Sequence, residues 1–362
     1  MTCNSGTVTG SPTLLPPFPA MSPARLLKLF TLSTSCSLLL ACGAPAAPAV
    51  PASGWTISRN PAAWKMQGFE GNLDLSGIAS IDGKTVLVGS DELIAAQPGT
   101  LDKANHAITA GALIPLMANP SGKKMEIDIE GVAAAPAENC YYVTGSHGVG
   151  KKKGEFEESR ASVFKVPCDP ATGAPLTEGI QRASLMPWLE QNATFRDYAK
   201  KPLQLNGFNI EGLTWHEGKL FFGVRGPNVQ GKTFVIETTP ATLFGGGLPD
   251  AKIHELPVGE ARGIREIAAV RDGFIVITGN ASAEATKKFP TSQTRMADKV
   301  FDVFLWRPGK EPEVSSIGVL PRPMEKAEAV LILEDAPAYV DLLVVFDGAT
   351  DGGPQSYRLT RP

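Results

Sequence analysis

Short runs of β-branched and apolar residues, separated by turn residues, recur along most of the chain. The pattern is clearest where Ile127–Ala134 is apolar and β-prone, Ala135–Asn139 is a turn that contains a proline, and Cys140–Gly145 is a second short strand. These three segments predict a β-hairpin. In an antiparallel pair the start of one strand lies beside the end of the other, so the hairpin places Glu130 and His147 at the same end.

Four other segments of the chain resemble this hairpin, and each carries a polar residue near the start of its first strand. That position holds Ser76 in the first copy, and the later copies hold Glu130, Glu211, Glu266 and Glu328. A repeat of somewhat more than 50 residues with four short strands is typical of a β-propeller blade. The count predicts five blades, or six if one blade lacks the motif. The alternative fold, a pair of β-sandwich domains, would not return one acidic motif at this spacing.

Other features agree with an all-β fold. The 37 glycines and 30 prolines indicate many turns. The longest interval between copies contains Met186–Lys200, which predicts a short helical insertion. Met66–Phe69 is predicted to close the ring as an outer strand beside the last blade. We expect one propeller domain over residues 55–362.

The N-terminus is predicted to be a targeting segment rather than part of the fold. Basic residues at Arg25 and Lys28 precede an apolar run, Leu29–Ala41, that is too short to span a bilayer. The run ends Leu-Leu-Ala-Cys, which resembles a bacterial lipobox with Cys42 as the lipidated residue. The alternative is an ordinary secretory signal with an incidental cysteine.

This interpretation assigns residues 1–41 to the signal and residues 42–54 to a Pro/Ala tether, and the signal is better formed when it starts at Met21. The mature protein is then expected in the bacterial cell envelope, held to a membrane by its lipid and facing the periplasm. The outer membrane is favoured over the inner one.

The cysteines and the net charge lead to two further expectations, one about a disulfide and one about partners. Cys140 opens one predicted strand and Cys168 closes the next, which predicts a disulfide in an oxidising compartment, with two unpaired thiols as the alternative. The formal net charge is -3, and no basic stripe is present. A nucleic-acid partner is therefore not expected.

In a propeller, the starts of the innermost strands and the ends of the second strands share one face. The first set would form a ring of glutamates near the axis, namely Glu130, Glu211, Glu266 and Glu328. The second set would lie beside it and comprises Asp91, His147, Arg225, Asn280 and Asp347. Arg262 and Arg265 come just before Glu266, in the fourth copy of the hairpin, and join the same face.

Two interpretations of this ring remain open. Repeated acidic residues can tie blades together by accepting backbone N–H groups or pairing with arginine. Converging carboxylates can also bind a divalent cation such as calcium, with a polar or anionic ligand over it. Residues that differ between blades, such as His147, Arg225, Arg262 and Arg265, are the better candidates for contacting one asymmetric ligand.

Several motifs together resemble the bacterial domain-of-unknown-function family 3616. They are DIEG with GSHG at 128–148, NIEG with RGP at 209–227, RGIREIA at 262–268 and VVFDG at 344–348. The resemblance implies a propeller-like β fold and no established activity. More distantly, the I-E-G-L strand opening is similar to phytase-like propellers, a resemblance that implies channel carboxylates holding calcium and a phosphate-ester substrate.

Three functions follow as hypotheses. The first is a tethered propeller that binds a small polar or anionic ligand through Arg225, Arg265 and His147. The second is a hydrolase of phosphate or carboxylate esters, in which a metal on Glu130 and Glu211 activates water. The third is a scaffold for envelope proteins, for which a wide apolar surface would be required.

Overall fold

The computed structural model describes residues 50–120, 122, 124–150, 152–291 and 294–362. The predicted signal, Cys42 and residues 42–49 of the predicted tether lie outside these ranges. Within them, no helix is long and apolar enough to cross a membrane.

The described residues form 22 strands and two short α-helices. In chain order, the strands are β1 (Thr56–Ala63), β2 (Lys65–Gln67), β3 (Leu75–Ser80), β4 (Thr85–Ser90), β5 (Ala95–Asp102), β6 (Ala107–Ala110), β7 (Ile114–Pro115), β8 (Ile129–Ala135), β9 (Cys140–Gly145), β10 (Val163–Pro167), β11 (Gln181–Ala183), β12 (Asn209–His216), β13 (Lys219–Val229), β14 (Lys232–Thr238), β15 (Ala251–Leu256), β16 (Arg262–Val270), β17 (Gly273–Asn280), β18 (Asp302–Trp306), β19 (Val314–Val319), β20 (Lys326–Asp335), β21 (Tyr339–Asp347) and β22 (Gln355–Thr360). The helices are α1 (Met186–Gln191) and α2 (Pro240–Leu243).

The strands assemble into five sheets, which are the blades of a β-propeller. From the outer edge to the axis, blade 1 is β2-β6-β5-β4-β3, blade 2 is β11-β10-β9-β8, blade 3 is β15-β14-β13-β12, blade 4 is β19-β18-β17-β16, and blade 5 is β1-β22-β21-β20. β7 adds a short pairing to β5 in blade 1. The prediction of an all-β propeller with five blades is confirmed.

The core is divided among the blade interfaces. Five clusters of buried apolar side chains occupy the spaces between successive blades, including the space between blade 5 and blade 1. An innermost strand is therefore covered on both faces, which explains why it is apolar almost throughout and does not alternate. Ile129–Ala135 shows this, because all but one of its residues are buried.

Closure of the ring uses a different strand from the predicted one. β1 pairs antiparallel with β22 and completes blade 5, whereas Met66 lies in β2, which pairs parallel with β6 in blade 1. The N-terminal chain does close the last blade, but it does so with residues 56–63. Just before β1, Ser53 donates to the Ser316 carbonyl over 2.8 Å, so the end of the predicted tether already lies along blade 4.

Two further expectations are corrected. The predicted helix over 186–200 is only α1, with turns after it. The predicted disulfide is wrong, because Cys140 and Cys168 are both free buried thiols. Cys140 is paired in register with Pro167, so the side chain of Cys168 lies one position further on and enters the interface between blades 1 and 2, whereas Cys140 enters that between blades 2 and 3.

Glycine at the start of an innermost strand permits close approach of the next blade. A Cβ added at Gly131 would lie 2.7 Å from the Cβ of Leu213 and 2.9 Å from its backbone nitrogen. A Cβ at Gly212 would similarly lie 2.9 Å from the Ile267 nitrogen. The E-G pair of the repeat thus combines a side chain for the channel with a missing side chain at the blade contact.

We predict that Gly131→Ala lowers the free energy of unfolding by about 1–3 kcal/mol, because the methyl group would overlap backbone that cannot move without separating two blades. Gly247→Ala is the matched control, since nothing lies within 4 Å of a Cβ there. Its effect should stay within about 0.5 kcal/mol. Denaturant unfolding of both variants measures the difference, and equal values would contradict the close-approach explanation.

Candidate functional site

The side chains that line the central channel come from one equivalent position in every blade. At the start of each innermost strand the pairing register shifts by one residue, as between Ile129↔Gly145 and Gly131↔Thr144. The same shift occurs in the other four blades. Each shift is a β-bulge, in which one extra residue is left out of the ladder and its side chain is re-aimed. The bulged residues are Ser76, Glu130, Glu211, Arg265 and Glu328, and we call them the channel ring.

Blade 4 corrects the predicted ring. Its bulge lies between Ile264 and Glu266, so Arg265 occupies the ring position and Glu266 sits one residue further along. The Oε1 atom of Glu266 accepts the backbone N–H groups of Leu213 and Ile267 over 3.2 and 2.8 Å. Burial raises the pKa of Glu266 well above its usual value. Glu266 therefore joins blades 3 and 4 and does not line the channel.

Three ring carboxylates converge. One oxygen from each of Glu130, Glu211 and Glu328 lies within 4.8 Å of the other two, and all three residues are at most 5% exposed. Arg265 lies between two of them, with Nη1 2.7 Å from Oε2 of Glu211 and Nη2 bound to Oε1 of Glu328. The other oxygen of Glu328, Oε2, accepts no hydrogen bond from any residue in the described ranges.

Arg225 supports the ring from its outer side. Its Nη1 atom lies 2.5 Å from Oε1 of Glu211, while Nε and Nη2 donate to the carbonyl oxygens of Asn280 and Ser282 over 2.9 and 3.1 Å. Burial lowers the pKa of Arg265 to about 10, against the opposing effect of Glu211. The N–H groups of both arginines point at acceptors within the protein. The arginines therefore contribute positive charge to the ring and offer few hydrogen-bond donors to a ligand.

The ring forms part of a cavity of about 460 Å³, a size typical of small-ligand sites. All five ring residues line it, together with Asp91, Arg225, Asn280 and Asp347. Among these nine side chains are five carboxylates and two guanidinium groups. The inner part of the cavity is therefore acidic, and it favours a ligand or ion that carries positive charge.

Two predicted site residues lie elsewhere. Arg262 is not among the lining residues and pairs through Nε with Oδ2 of Asp302 over 2.7 Å. His147 is fully buried, with Nδ1 3.0 Å from the Gly145 carbonyl oxygen and Nε2 3.2 Å from the Leu185 amide. That amide must donate, so Nδ1 carries the proton, and His147 holds the segment before α1 in place as a neutral imidazole.

The sequence did not reveal the outer wall of the cavity. Most of it comes from the long connection between β17 and β18 and from the chain at the start of β20, including Glu284, Arg295, Asp298, Lys299, Glu325 and Lys326. The length of that connection and its density of charged residues are the signals that could have indicated it. Lys152, in the basic run after His147, and Gln204 complete this wall.

Comparison with known proteins gives a family and a fold likeness. Residues 74–166 and 157–357 match the family model described as protein of unknown function (DUF3616). No curated protein sequence gives a significant match.

Three solved structures are similar in shape at low identity. A streptogramin B lyase is 10% identical with a TM-score of 0.36, covering 85% of this chain and 88% of that one. A hydrazine synthase from Kuenenia stuttgartiensis is 10% identical at 0.36, covering 76% and 56%. A GH43 glycoside hydrolase with an engineered active site is 12% identical at 0.44, covering 83% and 51%.

We predict that His147 makes stability depend on pH. Burial lowers its pKa to about 4 from an ordinary 6.5. The unfolded chain therefore takes up a proton before the folded protein does, and stability present above pH 6.5 is lost as the pH falls to 4, by about 3 kcal/mol. His147→Asn should remove this slope, because asparagine does not titrate. Asparagine is chosen because it tolerates the left-handed backbone at this position (φ 54).

The measurement is denaturant unfolding of both proteins at several pH values between 4 and 7. Glu266, whose raised pKa acts in the opposite direction, is present in both proteins, so its contribution cancels in the difference. Parallel pH profiles for wild type and variant would show that His147 is not held neutral in the folded state.

Proposed function

Because the chain belongs to the DUF3616 family, whose description assigns no activity, we propose a function from the channel itself: a divalent cation held by Glu130, Glu211 and Glu328, over which a small polar ligand binds. The convergence of these three carboxylates from three blades is the observation that carries the proposal. Calcium is the best candidate, since it takes several carboxylate oxygens in flexible geometry.

The charges around the ring support a cation. Arg265 and Arg225 together offset two of the three ring carboxylates, Lys326 pairs with Asp347 over 2.8 Å, and Asp91 adds one more negative group to the same cavity. Oε2 of Glu328 is buried and accepts no hydrogen bond from a described residue, which is costly for a carboxylate. A cation bound there would supply the missing partner.

The ligand follows from the rest of the cavity. A bound cation leaves coordination positions that anionic or carbonyl oxygens can fill. Lys152 adds positive charge to the wall, where Lys299 and Lys326 are paired with Glu325 and Asp347. We therefore propose a small polar ligand with an anionic group, contacted by the cation and by this wall, with Arg225 and Arg265 acting through the ring carboxylates.

We predict that the protein binds one calcium ion and that Glu130→Gln and Glu328→Gln each weaken this binding at least about tenfold, because each removes a charged ligand. Glu325→Gln is the matched control. Glu325 also lines the cavity, but its carboxylate pairs with Lys299 over 2.7 Å. The calcium affinity of Glu325→Gln should therefore stay within about twofold of wild type.

Isothermal titration with calcium and metal analysis of the purified protein measure these affinities. No uptake of calcium, or equal losses in Glu328→Gln and Glu325→Gln, would refute the cation site. Assays of phosphate and carboxylate ester hydrolysis on the calcium-loaded protein separate binding from catalysis. Turnover that a chelator abolishes would replace ligand binding with metal-dependent hydrolysis as the function.

We further propose that Cys42 carries a lipid that anchors the mature protein in the cell envelope, facing the periplasm. The support is the basic segment, the apolar run and the Leu-Leu-Ala-Cys ending in their proper order. Cys42→Ser should move the protein from the membrane fraction of a bacterial host to the soluble fraction, as lipidation needs the thiol. Wild type and variant in the same fraction would contradict the anchor.

A further inference from the structure

A nine-residue segment, 283–291, borders the channel mouth and runs from blade 4 to the loop after β9 in blade 2. It begins after the end of β17 in blade 4, and its first residues, Ala283 to Thr286, line the cavity. Glu284 and Ala285 are at the same time exposed to solvent. These residues therefore lie at the edge of the cavity, where it meets the solvent. We call residues 283–291 the arm.

The tip of the arm rests on blade 2. Lys288 Nζ donates to the carbonyl oxygen of Lys153 over 2.6 Å. The Phe289 ring lies against Gly154, where an added Cβ would overlap it, and Pro202 borders the same contact. Gly154 has a φ of +67°, which favours glycine. Because glycine has no side chain, the Phe289 ring can pack directly on the backbone of this loop.

The base of the arm is held firmly. Ser282 is 1% exposed, its carbonyl accepts from Arg225 Nη2 over 3.1 Å, and its hydroxyl lies 3.0 Å from that of Thr291. Arg225 also binds Glu211 of the channel ring. The hinge side of the arm is therefore fixed by the same guanidinium that supports the ring.

Between base and tip the arm has few hydrogen bonds with the rest of the described chain. Gln204 Nε2 donates to the Glu284 carbonyl over 3.1 Å, and the arm closes its own turn through Thr286 and Phe289. Most of its residues are exposed or half-buried. Segments with little burial and exposed hydrogen bonds open locally at low free-energy cost.

From this geometry we propose that the arm is a gate over the channel, hinged at Ser282 and latched by Phe289 on Gly154. Opening breaks the packing of Phe289 on Gly154, the hydrogen bond from Lys288 and the hydrogen bond from Gln204, and it leaves every blade intact. Access to the channel ring is then limited by opening of the arm. The proposal does not depend on which ion or ligand the ring binds.

The test uses a thiol placed inside the cavity. Ser76 is 2% exposed and lines the cavity, so Ser76→Cys puts a nearly isosteric reporter in the channel ring. The probe is a small charged methanethiosulfonate reagent, and peptide mass spectrometry identifies labelling at position 76. Cys140 and Cys168 are buried and burial raises the pKa of both thiols, that of Cys168 to about 12, so their background labelling is slow.

In the Ser76→Cys background, Phe289→Ala should raise the labelling rate at least about tenfold, because the latch is lost and the open arm becomes more populated. Lys288→Met, which removes the hydrogen bond to Lys153 and the ammonium that lies 5.2 Å from the centroid of the Phe289 ring, should raise it by a smaller factor. Leu248→Ala is the control, since Leu248 is an exposed apolar residue that is not among the residues lining the cavity, and it should leave the rate unchanged.

Rates within about twofold of the Ser76→Cys parent for both arm variants would overturn the gate, since the latch would then not control access. Thermal unfolding of each variant confirms that the propeller is folded. If Phe289→Ala does not fold, Lys288→Met decides the question alone, because it alters only an exposed side chain. Loss of calcium binding in the ring variants would leave these rates as they are, so the two proposals fail separately.

Discussion

A single extra residue at the start of each innermost strand determines what the channel contains. Without the bulge, the side chain at this position would continue the alternation of the strand and enter an interface between blades. With it, five side chains from distant parts of the chain are turned toward one axis. The glycine that follows in the first three blades removes the Cβ that would otherwise collide with the next blade. The bulge and the close contact therefore depend on each other.

The bulged position holds different residues in different blades, so the ring combines carboxylates with a guanidinium group. Three glutamates without a cation among them would repel one another in a buried place. Arg265, at the ring position of blade 4, relieves this by binding Glu211 and Glu328. Buried ion pairs often add little net stability, since desolvation offsets the attraction. An apolar ring would serve the fold as well, which favours a role beyond architecture.

The sequence predicted the architecture well because every blade of the propeller repeats the same hairpin pattern. Five hairpins with one polar motif sufficed to count the blades and to bring Glu130, Glu211 and Glu328 together. It failed where one residue of register decides the outcome. In blade 4, arginine and glutamate stand side by side, and only the pairing of Ile264 and Glu266 with β17 shows which is bulged. The disulfide failed for the same reason, since Cys140 is paired with Pro167 and not with Cys168.

The place of His147 and the outer wall of the cavity were missed for another reason. A histidine at a strand end looks the same whether it faces the channel or α1, and the choice depends on Leu185, which is distant in sequence. The outer wall is built by connections that follow no repeat.

The repeated bulge thus forms the channel ring, and the connections that follow no repeat form the outer wall. Arg225 connects the ring with the arm, because its guanidinium group binds a ring glutamate and the carbonyl at the base of the arm. Glu211 in the ring and the Ser282 carbonyl oxygen at the base of the arm therefore share one donor group, which fixes the position of both.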